Sequence, residues 1–199
     1  MPAVIEKSTT HAKVDGRHER TKRTRAAIVA ALTELLDEGR IEPTAVEIAE
    51  RAKVAVRSIG QHFSSREELL LAVAAHHAAR LTKPRIDAGA SFEERLEAFV
   101  EGRVHVLEAS RTMRGAAAVV AARSPAVAEA LERAAGERRA ETARLFAVEI
   151  AASEDPEAVE RTVALVTSGR AWDALRGEMG LSVKAARRQL AFTLRAALA

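Results

Sequence analysis

The chain has 199 residues, of which 48% are hydrophobic and only 3% aromatic, with no cysteine and a formal net charge of +3. That length accommodates one large domain or two small ones with a sizeable core. The absence of cysteine excludes disulfides and thiolate metal sites. No run approaches the roughly 18 consecutive apolar residues of a membrane helix, and the start MPAVIEKSTT lacks the apolar centre of a signal peptide. The expectation is a cytoplasmic protein with no membrane partner.

Strands favour β-branched and aromatic side chains, so an alanine-rich, aromatic-poor chain is expected to be all-α, and the patterning gives nine helices. Residues 1–20 are polar and without period, and are expected to form a disordered basic arm. From Arg23 to Glu38 the apolar residues Ile28, Leu32, Leu35 and Leu36 fall on one helical face, and Gly39 is placed to end that helix. Pro43 precedes a Thr-x-x-Glu capping box, Thr44 with Glu47. A short helix carrying Val46, Ile48, Ala49 and Ala52 follows. Lys53-Val54-Ala55 connects it to a second short helix carrying Val56, Ile59 and Phe63. Two short helices joined so tightly form a helix-turn-helix, whose second helix enters the DNA major groove. Ser65 and Glu68 then make another capping box ahead of Leu69, Leu70 and Val73, on a helix that stops near Leu81 at Lys83-Pro84.

A connection with Gly89 and a Ser91 cap leads to the fifth helix, Phe92 to Glu108. The sixth is expected over Arg114 to Ala122. Ser124-Pro125 opens the seventh, running to about Ala152, and Asp155-Pro156 opens the eighth, running to about Arg176. Ser182 caps the ninth. The domains expected from this pattern are the arm at 1–20, a DNA-binding domain at 21–65, and an effector-binding and dimerisation domain at 66–199.

Charge is local rather than global. Residues 1–25 contain seven basic residues (Lys7, Lys13, Arg17, Arg20, Lys22, Arg23, Arg25) against three acids, and 52–66 contain Lys53, Arg57 and Arg66 with no acid. A basic run alone is as often a solvated face as a binding surface. Two that bracket a helix-turn-helix favour phosphate contact, because counterion release drives DNA affinity. Arg57 can donate two bonds to guanine, Ser58 can reach a base or phosphate, and Val56 can pack on a thymine methyl. Gln61 and His62 lie further along the helix, within phosphate reach, although His62 is about as well explained by packing beside Phe63. Thr44 sits at a helix N-terminus suited to a phosphate.

Arg25 to Val73 resembles the N-terminal domain of TetR-family transcriptional regulators. The resemblance rests on Thr44 to Ala49, Ala52-Lys53-Val54, Ser58-Ile59, His62-Phe63 and Arg66 to Leu70. With the reading of the helix above, it points to DNA binding by Thr44, Val56, Arg57, Ser58, Gln61, His62 and Arg66; the basic runs add Lys53, and the basic arm, Arg17 to Arg25, adds Arg23 and Arg25. It further implies a double-stranded operator, a homodimer and a small-molecule effector. The chain departs from the family at three positions: Lys53 replaces the usual glycine of the turn, Ala55 the usual serine cap, and Gly60 a frequent tyrosine.

For the effector, polar residues on apolar stripes point to His76, Phe99, Arg103, Met113, Arg138, Thr142, Phe146 and Arg170 as pocket candidates, around a largely apolar ligand. Each arginine taken alone is more readily a snorkelling surface side chain. His76-His77 lacks the i, i+4 partner of a metal site, so no metal or cofactor is expected. The eighth helix has two apolar faces, which with the ninth suggests a dimer interface of Val159, Val163, Val166, Gly169, Trp172, Leu190 and Leu194. No Gly-rich phosphate loop or acid-base pair suggests an enzyme. The competing expectation is a helical ligand-binding or interaction protein whose DNA-reading head has decayed.

Overall fold

In the computed structural model, residues 9–81, 86, 87 and 89–199 are described, with side chains from residue 16 onward. The expected Lys83-Pro84 stop lies outside them. The chain divides into two compact units, 1–78 and 79–199, and all regular structure among the described residues is helical.

The first unit contains α1 (Thr9–Asp37), α2 (Ala45–Ala52), α3 (Val56–His62) and most of α4 (Arg66–Arg80). This unit takes in most of α4 in addition to the 21–65 expected to bind DNA. The buried side chains of α4, Leu69, Leu70 and Val73, give it an apolar face, and Glu68 ties it to α1. In α1, Ile28, Val29, Leu32, Leu35 and Leu36 are buried. Thr33, also buried, satisfies its hydroxyl by donating to Val29 O at 2.8 Å. The helix begins well before the expected Arg23, so part of the anticipated arm, from Thr9, is helical. Lys, Arg, Glu and Ala are good helix formers, and adding residues to an existing helix is far easier than nucleating one.

Gly39 ends α1 at φ +90°. Its N–H donates to Leu36 O at 2.9 Å and that of Arg40 to Leu35 O at 3.0 Å, the paired bonds of a Schellman cap. The turn after α2 repeats these bonds. Lys53 N–H donates to Glu50 O at 3.1 Å and Val54 N–H to Ala49 O at 3.0 Å, with Lys53 left-handed at φ 55°, ψ 44°. This is the conformation that glycine ordinarily supplies.

The second unit contains α5 (Phe92–Ala109), α6 (Arg111–Ala121), α7 (Pro125–Leu145), α8 (Ala147–Ala152), α9 (Pro156–Val166), α10 (Gly169–Asp173), a π-helical turn (Ala174–Glu178) and α11 (Val183–Leu198). Its core joins Leu96, Val100, Val104 and Leu107 of α5 to Phe146, Ile150, Val163, Trp172, Leu190, Leu194 and Leu198. Phe99 meets the Phe146 ring edge-on, with centroids 5.3 Å apart.

Two expected long helices are broken. The seventh divides at Phe146. There Arg95 Nη1 donates to Leu145 O at 2.7 Å and its guanidinium pairs with Glu149, an exit for the last carbonyl of α7. The eighth divides at Thr167-Ser168. Thr167 donates its hydroxyl to Val163 O at 2.7 Å, and Ser168 caps α10 by accepting from Ala171 N–H at 3.1 Å. Ser and Thr side chains compete in this way with helix continuation.

Candidate functional site

The N-termini of α2 and α4 and the length of α3 supply one set of exposed side chains. Thr44, Lys53, Val56, Arg57, Gln61 and Arg66 are exposed, while Ser58 and His62 are half-buried. Val46 was expected on the apolar face but is 52% exposed, so the buried side chains of α2 are Ile48 and Ala49. Lys53, Arg57 and Arg66 make no ion pair among the described residues. A dense set of unneutralised cations on short, anchored helices is what a phosphate-lined ligand requires.

The capping box at Thr44 is complete. Its hydroxyl accepts from Glu47 N–H at 3.2 Å, and Glu47 Oε2 accepts from Thr44 N–H at 2.7 Å. The Thr44 backbone N–H and then its hydroxyl hold the Glu47 carboxyl below its usual range. Arg40 pairs with the other oxygen of the same carboxylate. One turn further along the same face of α2, Arg51 reaches Glu38, the residue after α1, at 2.8 Å.

α3 is buried on neither end by a residue of its own. It begins at Ala55 without a side-chain cap and carries Gly60, where a Cβ would meet nothing within 4 Å. Its position is set from its C-terminus. Arg25 donates to His62 O, places its guanidinium 4.1 Å from the centre of the Phe63 ring, and bonds Glu68 at 2.9 Å. Glu68 Oε2 in turn accepts from the Ser64 N–H and hydroxyl, each at 2.8 Å. The Ser64 N–H first, then its hydroxyl and Arg25, hold Glu68 down to about 2. Arg25, expected to reach phosphate, joins α3 to α1 and α4 through these contacts, and Arg23 is exposed and without an ion pair among the described residues. Half of the expected Ser65–Glu68 box is present, since Glu68 N–H donates to Ser65 Oγ at 3.1 Å, but the carboxylate turns to Ser64. Neither Arg25 nor Ser64 is recognisable as a clamp from spacing, because their partners lie 43 and 4 residues away across a turn.

The pocket candidates do not all fall together: Phe99 packs on Phe146, and Arg138 lies near Arg103. His76 is exposed and His77, one residue on, is the buried one of the pair; both fall in the first unit. Phe146, Met113 and Thr142 are buried, with the Thr142 hydroxyl donating to Arg138 O at 2.9 Å, and Arg170 is exposed. Arg103, half-buried, donates to Thr167 O from Nε at 2.8 Å and also from Nη2.

Of the expected dimer residues, Val163, Trp172, Leu190 and Leu194 are buried in the unit's own core, with Val159 and Val166 packed against it. The buried indole N–H of Trp172 donates to Glu108 at 2.8 Å. Gly169 makes room for Arg114 and not for a second helix: a Cβ there would lie 2.6 Å from Arg114 Cδ. The most exposed large apolar side chains on these helices are Leu165 and Phe192, at 67% and 68%, with Val183 at 38%. The two apolar faces expected of one helix are split by the break at Thr167-Ser168: Trp172, after it, is buried, while Leu165, before it, is exposed.

Among the described residues no group of three or more His, Cys, Asp or Glu is placed to hold a metal, and no helix is long and apolar enough to cross a membrane. Residues 28–73 match the family model of bacterial regulatory proteins of the tetR family. No curated protein matches the sequence. Solved structures do. A transcriptional regulator from Rhodococcus sp. Rha1 superposes with TM-score 0.65 at 21% identity, covering 89% of this chain and 95% of that one. A protein classed with the TetR-family transcriptional regulators, from Mesorhizobium loti, gives 0.64 at 19% identity over 90% and 96%. A TetR-like transcriptional regulator from Rhodococcus sp. RHA1 gives 0.58 at 17% identity over 90% and 95%. Across nearly its whole length, the chain shares their fold.

Proposed function

We propose that this chain, a TetR-family transcriptional regulator by its residues 28–73 and its fold, binds an operator as a homodimer and releases it on taking up a small molecule. The observation that carries the reading is the exposed, unpaired set Lys53, Arg57 and Arg66, presented by helices whose framework contacts are otherwise satisfied. In this reading α3 enters the major groove. Arg57 reads guanine, Ser58 and Val56 read neighbouring base edges, and Thr44, Gln61 and Arg66 hold phosphates. His62 stays near the backbone, its carbonyl already bonded to Arg25.

Dimerisation supplies the second reading head. The exposed Leu165 of α9 and Phe192 of α11 are on helices of the second unit, and they replace the buried set Val163, Trp172, Leu190 and Leu194 as the side chains available to a second copy. Two heads related by a two-fold axis address half-sites about one turn apart, ~34–36 Å, in an inverted repeat. An effector held in the second unit works by population shift, favouring a head arrangement that misses those half-sites. Such a protein works where DNA is, in the cytoplasm.

Selection of bound sequences from a random duplex pool tests this. An inverted repeat supports it. Weak binding without a consensus, erased between low and moderate salt, supports the competing reading of a decayed head.

A further inference from the structure

Several arginines in this chain use one device, donating to a backbone carbonyl at or near the end of a helix or in a connection. Arg25 serves His62 O, Arg95 Leu145 O, Arg103 Thr167 O, Arg114 Leu107 O and Arg176 Leu181 O. A cation there meets the negative end of the helix dipole. Four of these five are also neutralised by a carboxylate: Arg25 by Glu68 at 2.9 Å, Arg95 by Glu149, Arg114 by Asp173 at 2.7 Å and Arg176 by Glu108 at 3.0 Å. Arg103 is the exception. Nε and Nη2 share the single Thr167 carbonyl, and neither an ion pair nor an acceptor for Nη1 is found among the described residues. Even a half-buried charge is held less favourably without a carboxylate partner than with one.

The surroundings increase that cost. Burial pushes Arg103 down to about 10, with Arg138 and Arg114 adding to the effect and Glu141 opposing it. Arg138, on α7, also has no ion pair among the described residues. Phe99 and Leu107 lie one turn before and after Arg103 on the same face of α5, and both are apolar and at least half-buried.

We propose that Arg103, seconded by Arg138, binds the carboxylate of an otherwise apolar effector beside the break between α9 and α10. This rests on the effector reading given above and names the chemical class of its ligand. A carboxylate takes the guanidinium edge bidentately and so competes with Thr167 O for the same donors. Binding thereby loosens the bond that holds the break, which gives the ligand a direct grip on the helix pair α9 and α10.

The test uses the full chain at fixed ionic strength, in calorimetric titrations with benzoate, phenylacetate, octanoate and decanoate, each against its primary amide. Sodium phosphate and sulfate serve as free-anion arms. At least one carboxylate is expected to bind tenfold or more tighter than its amide, and Arg103→Met is expected to reduce that ratio to below twofold. Arg138→Met, at a more exposed position, is expected to reduce it partially and serves where Arg103→Met fails to fold. In melting without ligand, Arg103→Met is expected to lose less than Arg95→Met, which breaks a paired cation. The proposal is overturned if no carboxylate exceeds its amide threefold, if phosphate or sulfate binds as well, if the variants keep the preference, or if Arg103→Met melts as low as Arg95→Met. Operator selection is independent of these titrations. Its failure removes the regulator reading while leaving carboxylate binding standing, and the reverse also holds.

Discussion

At the scale of single residues, two positions define how α3 is held. Lys53 adopts φ 55° in a turn whose two backbone bonds are those of a glycine cap. A side chain in the left-handed region costs roughly 1–2 kcal/mol. Lys53→Gly is therefore expected to stabilise the first unit by about 1 kcal/mol, less the extra freedom glycine has in the unfolded chain, raising its melting midpoint by a few degrees. A calorimetric scan showing no rise would place the turn's strain elsewhere. The same substitution removes an exposed cation, so operator affinity is expected to fall while stability rises. Glu68 is the second position. Its folded-state value is depressed to about 2 by Ser64 and Arg25, so its contribution is fully present above the ordinary carboxylate range near 4.5. That contribution is lost as pH falls through about 2. The gap in melting temperature between the wild type and Glu68→Gln is expected to be largest at neutral pH and to close between pH 4.5 and 2. A gap that persists unchanged at pH 2.5 would show that the carboxylate charge is not what joins α3 to α1 and α4.

At the scale of elements, what could be read from the sequence divides by the range of the interaction. The capping box at Thr44, the glycine stop at Gly39, the Ser-Pro and Asp-Pro starts and the apolar stripe of α1 are local patterns, and each is where the spacing puts it. The helix-turn-helix was legible for the same reason. The breaks at Phe146 and Thr167 were not, because each is completed by an arginine from α5, 50 and 64 residues away in the chain. The role of Arg25 in holding α3 was hidden on similar grounds: charge is visible in a sequence, but a partner carboxylate 43 residues on is not. The helical extension of α1 carries exposed basic residues toward the N-terminus. Deleting residues 1–20 removes Lys7, Lys13, Arg17 and Arg20 and is expected to weaken operator binding and reduce the salt slope by about one or two, at ~0.9 per phosphate contact. Fluorescence anisotropy across a salt series measures both, and an unchanged slope would remove this extension from the interface.

At the scale of the whole molecule, the all-helical fold was legible, but which apolar faces the second unit buries in its own core was not. Apolar periodicity reports that a helix has two faces to bury but not which neighbour covers each. In this chain Val163, Trp172, Leu190 and Leu194 lie in one core, and Leu165 and Phe192 are exposed, which is why the proposed dimer is placed on them. Phe192→Glu, which places a charge on an exposed apolar side chain, is expected to shift the protein to monomer in sedimentation without lowering its helicity. It is also expected to abolish cooperative operator binding while sparing single half-site contact. A variant that sediments as wild type would move the interface away from α11.

The central claim is that α3 reads sequence, through Arg57, from two symmetric heads. Its most direct test is selection from random duplex DNA, run in parallel with the wild type and Arg57→Ala at physiological salt. The wild type is predicted to return an inverted repeat with half-site centres about 10 base pairs apart. Arg57→Ala is predicted to lose preference at one base pair per half-site, worth ~1–3 kcal/mol, and to keep the rest. A pool without a consensus, or a consensus that Arg57→Ala leaves intact, would contradict the account.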